Sequence, residues 1–226
     1  MDLPDIRELV LRLPVVLFSL TIHEFMHAWT AWKCGDDTAY RQGRVSLNPL
    51  VHLDLVGTLC LIFAPIGWAK PVPVNPYNYG RPRRDDILVS GAGVAANLTV
   101  AVVFSLLLRF FPWGSGLLSD EVATIVFLLL LQLALVNFGL FVFNLLPIPP
   151  LDGSHILREL LPAQAAAQFS QISRYGVIVL VVAVVASRNI QFSFMRYPHV
   201  SPLHVPVILL MQVFAGPELT EAVFGG

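Results

Sequence analysis

Three residues close together in an apolar stretch have the types and the spacing of a metal-dependent hydrolase site: His23, Glu24 and His27. On an α-helix, residues four positions apart lie on the same face, so both imidazoles could bind a single metal ion. The glutamate between them could then reach a water molecule bound to that ion. The same pattern also arises by chance in helices, so its surroundings decide what it means.

The surroundings of this motif favour a function. It lies within Leu9–Trp32, an apolar segment long enough to cross a bilayer. Ionisable side chains inside a membrane span are costly and are functional by default. The alternative interpretation is a pair of hydrogen-bonded histidines beside an incidental glutamate, which leaves that cost unexplained.

A catalytic zinc ion has three protein ligands and one open position for water, so the motif needs a third ligand. Asp152 is the leading candidate, because it is a hard oxygen donor that follows a proline-rich turn. Gly153 beside it permits a close backbone approach. His155 is a rival ligand, since imidazole also suits zinc. The alternative for Asp152 is an ordinary turn or helix-capping aspartate.

The composition is that of a membrane protein. Of the 226 residues, 56% are hydrophobic and 13% are charged, whereas about a quarter of an average soluble domain is charged. This excludes a disordered chain and argues against a soluble enzyme. The formal net charge of −1 provides no basic field, so we expect no nucleic-acid partner.

Four apolar segments are long enough to cross a bilayer: Leu9–Trp32, Ile87–Phe111, Val122–Leu146 and Ala163–Ser187. Leu203–Phe214 is short and could be re-entrant, tilted or interfacial. The sequence therefore predicts an all-α polytopic membrane protein with about four to five transmembrane helices. We expect one membrane-embedded domain over residues 1–226, with its core at 9–156 and C-terminal helices at 163–214.

The connection between the first two spans reads differently. Residues 55–69 are apolar, but prolines and glycines interrupt them and the residues that follow, and Lys70–Val74 alternates like an extended strand. Irregular backbone at membrane depth is tolerated only where protein or a wet cavity covers it. We therefore predict a re-entrant strand or loop packed on the spans.

Basic residues orient the chain. Seven of them fall between the first and second spans: Lys33, Arg41, Arg44, Lys70, Arg81, Arg83 and Arg84. The positive-inside rule places this stretch in the cytoplasm, with the N-terminus outside. The two histidines then lie in the inner half of the first span, and Asp152 lies just past the inner end of the third. The predicted site is therefore near the cytoplasmic face of the cell membrane.

These motifs carry a resemblance. HEFMH in a membrane span, followed by NLLPIPPLDG at the end of a later one, resembles the site-2 protease family of intramembrane zinc metalloproteases. GRVSLNPLVHLDLVGT, GWAKPVPVNPYNY and Gly93–Asn97 also resemble segments of small bacterial or archaeal members, with Val94 where a proline is often found. The likeness covers about Thr21–Ile156, and we see no room for a PDZ or CBS domain.

The resemblance implies a catalytic machinery. One zinc ion per chain would be held by His23, His27 and Asp152, with Glu24 as general base. The substrate would be a transmembrane protein cleaved within or near its membrane segment. The family's motif asparagine falls at Asn144, which could donate to the oxyanion, although a buried asparagine often hydrogen-bonds between helices instead.

Other residues have less specific interpretations. Lys70, Pro71, Val72, Pro73 and Val74 could pair with an unwound substrate by strand addition. Gly93 and Gly91 would allow close helix contact. Asn97 has the same two interpretations as Asn144, and the structural one is favoured. His52 and Asp54 are either a loop hydrogen-bonding pair, which is favoured, or a second metal site.

Two other functions fit the same residues. One is a non-catalytic membrane zinc protein, such as a transporter or sensor, and the other is a catalytically dead binding partner. Glu24 discriminates, because only a hydrolase needs a carboxylate beside the metal-bound water. The sequence does not indicate the oligomeric state.

Overall fold

The computed structural model of the chain describes residues 6–63, 67–189, 192–194, 197–200 and 202–225, and helices dominate these residues. The helices are α1 (Ile6–Lys33), α2 (Thr38–Arg41), α3 (Leu55–Phe63), α4 (Pro82–Phe110), α5 (Asp120–Leu145), α6 (Asp152–Leu160), α7 (Ala163–Ile172), α8 (Gly176–Asn189), α9 (Val205–Phe214) and α10 (Pro217–Phe224). Short 3₁₀ turns occur at Pro49–His52, Pro76–Asn78 and Ser173–Tyr175. Two short strands, β1 (Phe192–Phe194) and β2 (Tyr197–Val200), pair antiparallel.

Four helical stretches are long and apolar enough to cross a membrane: Val10–Lys33, Pro82–Phe110, Asp120–Leu145 and Ala163–Ala186. They coincide with the four predicted spans. The last of them is built from α7 and α8 joined through the turn at Ser173–Tyr175. The expectation of a helical, multi-pass membrane protein is therefore confirmed.

The short apolar segment near the C-terminus forms α9, which has ten residues. At 1.5 Å per residue it is about 15 Å long, roughly half the thickness of a bilayer's hydrocarbon core. Its Val207, Ile208 and Met211 are buried. Val207 and Met211 belong to the same apolar cluster as Phe138 of α5, so one face of α9 packs against α5, while Val213 on α9 is exposed.

The chain divides into two compact units, Met1–Asn97 and Leu98–Gly226, with the boundary inside α4. Ala31, Tyr79 and Val89 form the buried apolar cluster of the first unit. The second unit has a larger cluster, in which buried residues of α4, α5 and α9 meet.

The connection between the first two spans is compact and irregular. Its α3 has nine residues and is too short to cross a bilayer alone. A single β-bridge joins Leu53 to Ala69, while residues 70–75 form no regular strand. Gly57 accommodates the close approach, because a Cβ there would lie 2.2 Å from the Trp68 carbonyl oxygen. Pro65 lies outside the described residues, and the re-entrant arrangement stays a prediction.

Asp36 fastens this connection to the end of α1. Its fully buried carboxylate accepts hydrogen bonds from the Thr38 amide and hydroxyl, the Asn75 amide at 2.6 Å and the Asn78 side chain at 2.8 Å. Burial alone would raise the pKa of Asp36, but these hydrogen bonds outweigh it and hold the pKa below its usual value. Asp36 therefore ties the chain between α1 and α2 to Asn75 and Asn78, which precede α4.

Replacing Asp36 with asparagine should destabilise the protein, because the amide has only one accepting oxygen for these donors. We expect a loss of about 1–3 kcal/mol at neutral pH, measured as a lower thermal unfolding temperature in detergent. Asp37→Asn is the matched control, because Asp37 pairs with the exposed Arg41 and such pairs contribute little.

The stability difference between wild type and Asp36→Asn should depend on pH. The pKa of Asp36 is lower in the folded protein than the unfolded value of about 3.9, so its stabilising contribution is complete at neutral pH. That contribution is lost as the pH falls through the folded-state pKa. The difference in stability between wild type and Asp36→Asn should thus shrink below about pH 4, and a constant difference would contradict this role.

Candidate metal centre

Helix α1 brings the two histidines of the motif together inside the first unit. Both side chains are buried, at 6% exposure for His23 and 9% for His27. Their rings meet edge to face with centroids 4.5 Å apart. The two Nε2 atoms face each other at 3.0 Å, as expected for residues four positions apart on one helix.

The other ring nitrogens are fixed by α4. His27 Nδ1 lies 2.7 Å from the Val89 carbonyl oxygen, and His23 Nδ1 lies 2.5 Å from Asn97 Oδ1. Both partners are acceptors, and the Asn97 amide nitrogen donates to the Ser19 carbonyl at 3.4 Å. Each Nδ1 must therefore carry the proton.

With both rings neutral, the two Nε2 atoms present lone pairs to each other. Two such lone pairs at 3.0 Å repel, unless a proton or a metal ion lies within reach of both. Ligands about 2.0–2.1 Å from a tetrahedral zinc ion are roughly 3.3 Å apart, close to the observed separation. A histidine that binds metal through one nitrogen and donates from the other to a carbonyl is also the usual arrangement at zinc sites. The imidazole pair therefore fits zinc.

Gly93 makes room for the pair. A Cβ at this position would lie 2.4 Å from His27 Nε2 and 2.8 Å from His23 Cε1. The close helix contact expected of Gly93 is thus made with the two imidazoles themselves. By contrast, a Cβ at Gly91, two residues earlier on the same helix, would meet nothing within 4 Å.

Glu24 contacts the extended segment predicted to bind a peptide. Its Oε2 accepts a hydrogen bond from the Val72 amide at 3.0 Å, and the side chain is half-buried. The middle residue of Lys70–Val74 is thereby placed beside the carboxylate that lies between the two histidines in sequence.

Arg44 holds the start of that segment. In the sequence, Arg44 is one of the seven basic residues between the first two spans. In the structure it is 5% exposed, and its guanidinium donates to the carbonyl oxygens of Lys70 at 2.6 Å and Pro71 at 3.3 Å. Its place in the GRVSLNP motif was the available signal, but a sequence does not tell a buried arginine from an exposed one.

The other loop candidates bind elsewhere in the connection. His52 is buried, and its Nε2 lies 2.8 Å from the Ser46 carbonyl oxygen. Asp54 Oδ1 accepts the Gly57 amide at 2.8 Å, which caps the start of α3. Each side chain thus bonds to loop backbone, and among the described residues the two make no hydrogen bond with each other.

The second unit contains the remaining candidates. Asp152 is the first residue of α6 and is half-buried, whereas the rival ligand His155 is exposed. A Cβ at Gly153 would lie 2.2 Å from the Leu145 carbonyl oxygen, so α6 starts directly against the end of α5. Asn144 donates to the Leu140 carbonyl of its own helix at 3.0 Å.

Comparisons with known proteins agree with this chemistry. The sequence profile of peptidase family M50 matches residues 114–186. YwhC of Bacillus subtilis is 43% identical over 207 residues, covering 90% of this chain and 92% of that protein. Rip2 of Mycolicibacterium smegmatis is 33% identical over 173 residues, covering 75% of this chain and 64% of that protein.

Both relatives are named as zinc metalloproteases. No solved structure matches the chain. The identity to YwhC over almost the whole of both proteins, together with the profile match, confirms the resemblance drawn from the motifs. The chain therefore belongs to peptidase family M50, the family of site-2 proteases.

Proposed function

We propose that this protein is a zinc-dependent intramembrane endopeptidase, which hydrolyses peptide bonds within or near the membrane segment of transmembrane proteins. The observation that carries the proposal is the pair of facing Nε2 atoms of His23 and His27, 3.0 Å apart in a helix that is long and apolar enough to span a membrane. The carboxylate of Glu24, on the same turn, supplies the group that a hydrolase needs and a simple zinc carrier does not.

The proposed ligands of one zinc ion per chain are His23, His27 and Asp152. A carboxylate complements two neutral imidazoles as a third zinc ligand and leaves the fourth position for water. Asp152 is a better candidate than His155, because its side chain is half-buried and the other is exposed. The tight packing at Gly153 fixes where Asp152 starts its helix.

Bound zinc would supply an acidified water molecule, with a pKa of about 7, and a Lewis acid for the scissile carbonyl. Glu24 would accept the proton of the attacking water and pass it to the leaving amine nitrogen. Its hydrogen bond with the Val72 amide orients the carboxylate. The side chain of Asn144, which has two N–H groups, would donate to the developing oxyanion.

Residues Lys70–Val74 would bind the unwound substrate by strand addition. In an extended chain, the backbone groups of alternate residues point to the same side. An extended Lys70–Val74 would therefore present the backbone groups of Val74 on the side of the Val72 amide. Among the described residues, the Val74 backbone has no hydrogen-bond partner. Pro71 and Pro73 donate nothing, so pairing would use only this part of the edge.

The location follows from the charges. The basic residues between the first two spans favour a cytoplasmic connection, which would put the proposed site near the cytoplasmic face of the cell membrane. The partners would be the lipid bilayer and a transmembrane substrate.

Zinc content and cleavage test the function together. Detergent-purified wild type should hold about one zinc ion per chain and cleave a transmembrane substrate. Glu24→Gln should keep the zinc and lose cleavage by 100-fold or more, on the order of the 10²–10⁴ contribution of a general base. Asp152→Ala should lose both, and His155→Ala should keep both.

Two results would contradict the proposal. If Glu24→Gln cleaved as wild type does, the base would be misassigned. If wild type held zinc but cleaved no reconstituted membrane substrate, the alternative of a zinc transporter or sensor would replace the protease.

Gly93→Ala should weaken zinc binding, because the new methyl group displaces both imidazoles. We expect a loss of affinity of about 10- to 100-fold, as for other changes to groups that orient metal ligands. Gly91→Ala is the matched control on the same helix, with open space around its Cβ. Competition with a chelating dye measures the zinc affinity of both variants. Equal affinities would show that zinc does not bind to the imidazoles beside Gly93.

The proposed strand edge has its own test. Replacing Val72 and Val74 together with proline removes two backbone N–H groups, and kcat/KM for a transmembrane substrate should fall at least about tenfold, as for one or two lost hydrogen bonds. The double replacement with alanine keeps the N–H groups and should leave most activity. Unchanged cleavage by the proline variant would rule out strand addition here.

A further inference from the structure

Arg44 is a buried cation whose hydrogen bonds all serve backbone. It follows the short helix α2, with its own amide bonded to the Ala39 carbonyl at 2.9 Å. Its guanidinium spans two consecutive carbonyl oxygens, those of Lys70 and Pro71. Burying an arginine costs free energy unless its donors are paired. Its rigid, forked guanidinium suits two neighbouring acceptors such as these carbonyl oxygens. This geometry therefore suggests that the path of the backbone at Lys70–Pro71 matters.

The next amide along the chain is the one bound to the proposed base. Immediately after Pro71, the Val72 N–H donates to Glu24 Oε2 at 3.0 Å. Burial lowers the pKa of Arg44, and the negative charge of Glu24 acts in the opposite direction. Arg44 thus acts on Glu24 through the backbone from Lys70 to Val72.

The remaining anchors lie at the two ends of the segment. The Lys70 amide donates to the His52 carbonyl at 2.9 Å, and the Asn75 amide donates to Asp36 at 2.6 Å. Between these ends, Arg44 is the side chain that fixes the carbonyl oxygens preceding Val72. Without it, rotation about the Lys70 and Pro71 backbone would be free to carry the Val72 amide away from Glu24.

We infer that Arg44 is a positioning residue for peptide hydrolysis. Its fork on the Lys70 and Pro71 carbonyl oxygens sets the Val72 amide against Glu24 and holds the Val72–Val74 edge in register for an extended peptide backbone. The functional half of this inference, that Arg44 supports hydrolysis, rests on the proposed endopeptidase function. The structural half, that Arg44 fixes the backbone before Val72, does not. Arg44 is proposed neither as a metal ligand nor as a group that touches the reacting atoms.

Hydrogen–deuterium exchange tests the structural half without any cleavage. Pro71 and Pro73 have no amide, so a fragment spanning residues 70–75 reports on few backbone groups. In wild type, the Val72 amide should exchange slowly and the Val74 amide quickly. Arg44→Gln should add about one fast-exchanging amide to this fragment. Arg41→Gln, which alters the exposed pair with Asp37, should add none.

Kinetics test the functional half. Arg44→Gln should lower kcat/KM by about 10- to 100-fold, as expected for the loss of one or two charge-assisted hydrogen bonds, with unchanged zinc content. Both KM and kcat should change, since the edge and the base are displaced together. Arg44→Lys, with one compact donor group in place of the fork, should recover part of the activity. Arg41→Gln should match wild type.

The outcomes separate this inference from the proposed function. Wild-type exchange and wild-type kcat/KM in Arg44→Gln would overturn the inference while leaving the protease intact. If Arg44→Gln lost zinc or failed to fold and Arg44→Lys had full activity, the arginine fork would be merely structural, which also overturns it. If wild type neither held zinc nor cleaved, the proposed function would fail, and the exchange result would still judge the backbone role of Arg44.

Discussion

The fixed orientation of two buried imidazoles on one apolar helix constrains the rest of this site. The Nδ1 atoms of His23 and His27 are bonded to Asn97 and to the Val89 carbonyl, so the two Nε2 atoms are left facing each other. Gly93 brings α4 close enough to make these contacts. The asparagine, the glycine and the Val89 carbonyl of α4 thus hold both rings in the orientation that zinc-binding histidines have.

A second group of contacts places the backbone at Val72 beside Glu24, the residue that follows His23. The connection after α1 has little regular secondary structure at residues 67–75. Side chains, rather than a neighbouring strand, therefore make several of the hydrogen bonds to its backbone. Asp36 binds one end of the segment and Arg44 binds the other. Between them the Val72 amide meets Glu24. A proline-rich segment suits this role, because its missing N–H groups leave fewer backbone donors to satisfy near the membrane.

The sequence predicts the coarse features of the molecule well. Long apolar segments identify the four spans, since length and hydropathy decide membrane crossing, and His23, Glu24 and His27 stand out because charge is rare there. The residues that pack against the site are harder to predict from the sequence. Nothing in the motif says that Gly93 lies against both rings or that Arg44 is buried, because these depend on which loop folds back onto α1. The regular strand expected around Lys70–Val74 is likewise reduced to one bridge at Ala69, since two prolines remove its ladder donors.

The central claim is that the two Nε2 atoms bind one zinc ion. X-ray absorption spectroscopy of the zinc-loaded protein tests it most directly. The account predicts a first shell of nitrogen and oxygen atoms at about 2.0–2.1 Å, with the outer-shell scattering of two imidazoles and no sulfur. His27→Ala should reduce that scattering to one imidazole or abolish zinc binding. A shell containing sulfur, or two imidazoles that persist in His27→Ala, would contradict the account.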